Sequence, residues 1–173
     1  MITSAFVHHD LTHFLFNMMA FHAFGTILSF IPGIGGGFIT SLALGSAIAG
    51  STAWLYQQNA DRFVKTSRPT PLGHMGRSMS AIGASGMVMG LSGAATCLMP
   101  FAPMHIFFIP VAVPLWLTSA LYIAADLYFL RSADSRIGHS AHLGGTAFGA
   151  LFYMVYLRRF GGIFNMIRRG LRR

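Results

Sequence analysis

Three polar motifs stand where a lipid-buried sequence should not carry them: His8-x4-His13-x3-Asn17, Gly83-Ala84-Ser85-Gly86 and Ala141-His142-Leu143-Gly144-Gly145. Each lies near the start of a long apolar segment, and burying a hydroxyl, an imidazole or a carboxamide without a task costs free energy. These are the parts of a hydrolytic site. Ser85 supplies a nucleophile, and the glycines Gly83 and Gly86 beside it leave room for a peptide backbone to approach. A helix starting there would aim free N–H groups, that of Ser85 among them, at a developing oxyanion. His142 is a base able to take the serine proton during attack and return it to the leaving amine. Gly145 and Gly149 follow it at i+3 and i+7, so both share its face and let its helix come close to a neighbour. His13 and Asn17, one turn apart, can point two N–H donors at one oxygen. His8 is expected to organise the adjoining loop by hydrogen bonding, and His9 to be solvated.

The elements that must position these residues follow from composition. The chain has 173 residues, 54% of them hydrophobic and 9% charged, with a mean hydropathy of +0.59, which is too apolar for a soluble domain of this size. Windows of about 20 apolar residues, the length needed to cross a bilayer as helix, lie at 11–30, 37–56, 83–101, 110–130 and 139–160. The windows are continuously apolar, which excludes the alternating strands of a membrane barrel. The expected fold is an all-α membrane bundle of about five helices. No cleavable leader pattern precedes the first window, so that helix is expected to be structural. In an antiparallel series the first, third and fifth helices run the same way. Their N-terminal motifs should therefore meet at one depth.

Turn residues divide the windows. Pro32 to Gly37 makes a tight uncharged connection, Pro100 and Pro103 close the third segment, and Pro110 and Pro114 predict a late or kinked start to the fourth. The polar stretch 57–80 reads as an ordered surface loop beside the site or, equally, as a plain linker. Six of the twelve basic residues are Arg158, Arg159, Arg168, Arg169, Arg172 and Arg173. Such a tail fits a membrane surface on the cytoplasmic or matrix side better than a nucleic acid. The single cysteine, Cys97, allows no internal disulfide and no cysteine-rich metal site, and reads as a packing residue. Asp126 is the only carboxylate inside a predicted span. A place in a Ser-His-Asp triad is open to it, but a helix dipole, a loop or an arginine would occupy it as well, and the site is expected to work as a Ser-His dyad.

Taken together, the three motifs resemble those of the rhomboid family of intramembrane serine proteases over about residues 4–157, and most of all its mitochondrial and related bacterial branch. The resemblance implies Ser85 as nucleophile, His142 as general base, Asn17, His13 and the Ser85 N–H as the oxyanion hole, and His8 as a supporting member. It implies single-span membrane proteins as substrates, cut at small residues near an unwound helix end. It also implies a multi-pass protein, with the mitochondrial inner membrane as a compartment, and no metal or organic cofactor. The domain is placed at 1–160, with a basic tail at 161–173. Rhomboids carry a first core helix ahead of the His-x4-His-x3-Asn helix, so the chain is read as N-terminally shortened. Met89 stands where many of them have a tyrosine. Two rival readings are an inactive relative that binds client transmembrane helices, which would not need both Ser85 and His142, and a haem or metal protein ligated by His8, His13 and His142. The second would leave Ser85 and Asn17 without a role.

Overall fold

A computed structural model describes residues 2–66, 83–105, 111–130, 132 and 137–170. A 3-10 turn at Ile2–Phe6 leads into helix α1, Leu11–Ser29, and α2 follows at Gly36–Thr66. Helix α3 is Ser85–Leu98, α4 is Leu115–Phe129 and α5 is His139–Phe152. Each of these five helices overlaps one of the five apolar windows. By length and composition, α1 and the stretch Gly36–Ala60 of α2 are long and apolar enough to cross a membrane, and α3 and α4 are shorter apolar helices.

Local chemistry sets the boundaries. The Asp10 carboxylate accepts the His13 N–H at 2.7 Å and so caps α1. After α1 the chain turns at Gly33, whose φ of +90° favours glycine and whose α-carbon sits against the Phe160 ring. Helix α2 runs ten residues past the apolar window that ends at 56, because no glycine or proline interrupts Gln57 to Thr66 and those residue types tolerate helix. The surface loop expected over 57–80 therefore begins as helix, and its remaining part, 67–80, lies outside the described residues. Helix α4 starts late, at Leu115. Pro114 occupies its N-cap, and the Leu115 and Trp116 N–H groups donate to the carbonyls of Ala102 and Pro100, each at 2.9 Å.

What precedes α4 is a hairpin, not helix. Strand β1, Pro103–His105, pairs antiparallel with β2, Ala112–Pro114, in the register Met104 to Val113. Proline at 103 and at 114 excludes helical continuation but is tolerated at an edge-strand end.

Helix α3 is the central post: residues 86–95 are buried without interruption, and it packs on α1, α2, α4 and α5. Lipid is as apolar as leucine, so helices inside a bilayer are held by close packing and polar contacts more than by hydrophobic transfer. Glycines supply the closeness here. A Cβ on Gly145 or Gly149 would strike the carbonyl oxygens of Gly86 and Gly90, and one on Gly50 would come within 2.6 Å of the Ala141 carbonyl. Helices α2, α3 and α5 therefore meet backbone to backbone.

Helix α4 is built the opposite way to a helix on a soluble core. Its buried residues are Leu115, Thr118, Ser119 and Asp126, while Trp116, Leu121, Tyr122, Leu127 and Tyr128 are exposed. Polar inside and apolar outside is the arrangement of a lipid-facing helix. Ser119 joins Thr96 and Ser92 of α3 through hydroxyls at 2.6 and 3.3 Å, and Gln57 of α2 donates to the Leu130 carbonyl at the end of α4 at 2.7 Å.

Helix α5 continues into a π-helical turn, Tyr153–Leu157, and a 3-10 turn, Arg158–Phe160. Gly161 and Gly162, with φ of +129° and +85°, reverse the chain into the short helix α6, Ile163–Gly170. The Tyr153 hydroxyl ties this corner, donating to the Gly161 carbonyl at 2.9 Å and accepting the Phe164 N–H at 3.0 Å. The basic tail is thus partly helical, with Arg168 and Arg169 in its last turn.

Candidate active site

Ser85 is the first residue of α3, half-buried, and the N-cap before it, Ala84, offers no side-chain cap. The first N–H groups of a helix have no intrahelical acceptor, so this end presents donors. Two of the preceding N–H groups are already engaged: that of Gly83 donates to the Ser4 carbonyl at 2.9 Å, and that of Ala84 to His8 Nε2 at 3.4 Å. His8 thereby links the entry of α1 to the start of α3.

Gly83 has φ of +114°, and a Cβ there would lie 2.6 and 2.9 Å from Cε1 and Nε2 of His13. The His13 ring therefore lies directly over the turn that carries Ser85. His13 Nδ1 accepts the His9 N–H at 3.4 Å, which assigns the ring proton to Nε2, the nitrogen facing Gly83. His9 is thus exposed yet engaged through its backbone. Asn17 is 6% exposed and donates one amide N–H to the His13 carbonyl at 2.7 Å, leaving the second for another acceptor.

His142 lies in the first turn of α5. The Gly86 α-carbon faces the Ala141 carbonyl, where an added Cβ would make ordinary contact at 3.6 Å, and Gly145 lies against the Gly86 carbonyl. The residue after Ser85 thus lies against α5 through Gly145, one turn after His142. The starts of α1, α3 and α5 meet at one end of the bundle. Ser85 and His142, both described, are not joined by a hydrogen bond in this conformation.

Asp126 changes the electrostatic picture. It is 5% exposed, three residues from the end of α4, and its Oδ1 lies 3.0 Å from His142 Nδ1 and 2.7 Å from His139 Nδ1. The carboxylate accepts from imidazole N–H, so His142 carries its proton on Nδ1 and keeps its lone pair on Nε2. Of the places the sequence left open to it, beside His142 or at a dipole, a loop or an arginine, the described residues show the first, with a second histidine added. Sequence reasoning passed over His139 altogether. Its signal was the i, i+3 spacing to His142, which puts both rings on one face.

The glycines have distinct parts. Gly145 and Gly149 admit the carbonyls of Gly86 and Gly90, Gly83 admits the His13 ring, and Gly86 has room to spare. Met89 is buried one turn after Ser85, and Cys97 is part-buried with its carbonyl against Gly162.

Comparison with known proteins places the sequence in a family. The Rhomboid domain family matches residues 1–159. RHOMBOID-like protein 12, mitochondrial, of Arabidopsis thaliana is 34% identical over 155 residues, covering 87% of this chain and 44% of that protein. Rhomboid protein 1, mitochondrial, of Saccharomyces cerevisiae is 32% identical over 151 residues, covering 87% of this chain and 40% of that protein. The chain thus spans less than half the length of these relatives. No solved structure matches it.

Proposed function

The chain belongs to the rhomboid family, and we propose that it is an intramembrane serine endopeptidase with Ser85 as nucleophile and His142 as general base. The observation that carries this reading is the meeting of three helix starts: the turn bearing Ser85 lies under the His13 ring and one residue from the contact with α5. With Asp126 on Nδ1, the His142 Nε2 lone pair is the atom able to accept a proton.

In this mechanism Ser85 Oγ attacks the substrate carbonyl while its proton passes to His142 Nε2. The imidazolium is stabilised by the Asp126 carboxylate, so the dyad expected from sequence becomes a dyad with a positioning anion. The tetrahedral oxyanion is met by the Ser85 N–H, His13 Nε2–H and the second Asn17 N–H. Collapse breaks the C–N bond, and the amine leaves with the proton from His142. Water then enters by the same base and releases the acyl group. The missing Ser85–His142 bond is consistent with a resting enzyme, because catalytic hydrogen bonds often tighten only when substrate binds.

Membrane placement follows the same line. We infer five crossings by α1 to α5 in the inner mitochondrial membrane, substrates that are single-span membrane proteins, and a basic α6 region at the lipid surface. No cofactor has a step in this mechanism.

The test is covalent. In lipid nanodiscs a fluorophosphonate probe is expected to label the chain, with labelling and cleavage of a single-span reporter both lost in Ser85→Ala and His142→Ala. A folded chain that captures the reporter without labelling or cutting it would replace this reading with that of a client-binding relative.

A further inference from the structure

The mechanism uses one of the two imidazoles on Asp126 and leaves the other, His139, without a part. Both rings present the same nitrogen, Nδ1, to the same oxygen, and one ligand atom from each residue lies within 4.8 Å of the other two, with Asp126 and His139 buried and His142 part-buried. Two imidazole nitrogens and one carboxylate oxygen are a donor set for zinc-like cations, not for magnesium or calcium. Zinc binds such atoms at about 2.0–2.2 Å, which separates tetrahedral ligands by roughly 3.4 Å. The Nδ1–Oδ1 separations of 2.7 and 3.0 Å would open by under an ångström. Among the described residues the salt-bridge partners of Asp126 are these histidines alone.

The geometry points to an inhibitory site for a divalent transition-metal ion, formed by Asp126, His139 and His142. It lies behind the general base, and its effect rests on the protease reading above. The chemistry of inhibition is a tautomer exchange. With Nδ1–H bonded to Asp126, the His142 lone pair is on Nε2 and can take the Ser85 proton. A metal on Nδ1 needs the lone pair there, so the ring proton moves through solvent to Nε2. The base then faces Ser85 already protonated, and attack stops without any change at Ser85. The ion reads as a brake, and its removal restores the active tautomer.

The experiment uses the full chain in nanodiscs after treatment with a chelator. Co2+ is expected to bind one per chain with the visible absorption of a nitrogen-and-oxygen site. Zn2+ is expected to compete for that site and to block fluorophosphonate labelling reversibly. His139→Gln and His139→Ala, checked for unchanged helical melting, should weaken Co2+ binding and raise the half-inhibiting Zn2+ concentration by at least about tenfold, each relative to its own metal-free rate. Ser85→Ala should bind Co2+ like the parent, which separates the site from the catalysis. Metal binding that depends on His139 in a chain that never labels would sink the protease reading and leave the ion site standing. No Co2+ absorption, or absorption undiminished in both His139 variants, as would follow from an ion on His8, His9 and His13, overturns the proposal.

Discussion

Asn17 and Asp126 are the residues at which burial, chemistry and consequence can be separated most cleanly. Asn17 makes one hydrogen bond to its own helix, so Asn17→Ala removes little that holds α1 together. It does remove the second amide N–H. The expected result is a fall of about 100- to 1000-fold in kcat for reporter cleavage, with the helical melting curve unmoved. A loss below threefold would take Asn17 out of the oxyanion site. Asp126→Asn keeps the shape but can donate to His142 Nδ1, which favours the wrong tautomer. We expect kcat to fall by roughly 100- to 10,000-fold with KM little changed. A KM effect alone would make Asp126 a packing residue. The motif residues were visible in sequence because serine, histidine and asparagine are costly in apolar surroundings. Asp126 was visible as an anomaly and as one possible partner of His142, but the choice among its partners was not, since pairing it with α5 requires the packing of two helices that no local spacing encodes.

At the scale of the helix, glycine decides how close α3 and α5 come, and the positions differ in a way that can be measured. A Cβ at Gly149 would meet the Gly90 backbone, which cannot yield, whereas at Gly86 it would meet its nearest neighbour at 3.6 Å. Gly149→Ala is therefore expected to destabilise the bundle by about 1–3 kcal/mol, seen as a lower unfolding midpoint in nanodiscs. Gly86→Ala should leave that midpoint close to the parent's. Equal effects would mean that helix propensity, not packing, governs both sites. The i+3 and i+7 spacing from His142 announced this contact face, and the apolar windows announced the helices α1 to α5. The hairpin before α4 was hidden because its residues are as apolar as the helices around it. The last turns of α2 were hidden for the converse reason, being polar and yet helical.

For the molecule as a whole, the distribution of surface and core argues for lipid. Large apolar side chains stand outward on α1 and α4, Phe14, Leu15, Met19, Trp116, Leu121 and Leu127 among them, while Ser92, Ser119, Asn17 and Asp126 lie within. With Trp54 replaced by Phe, Trp116 is the remaining tryptophan, and lipids brominated in their acyl chains are expected to quench its fluorescence strongly. Emission insensitive to those lipids would remove α4 from the hydrocarbon.

One feature at the far end of the bundle bears on how the chain can vary. The π-helical turn at Tyr153–Leu157 holds a surplus residue relative to an α-helix, and the buried faces of Tyr153 and Leu157 lie on either side of it. Deleting one residue there would let the ladder revert to ordinary pitch. Everything downstream would swing about 100° around the axis, carrying Arg159 off the Phe38 ring of α2, over which it now rests at 5.6 Å. The phase of the C-terminal corner is thus stored in a single inserted position. Length changes at that point should be tolerated far less than changes of residue type.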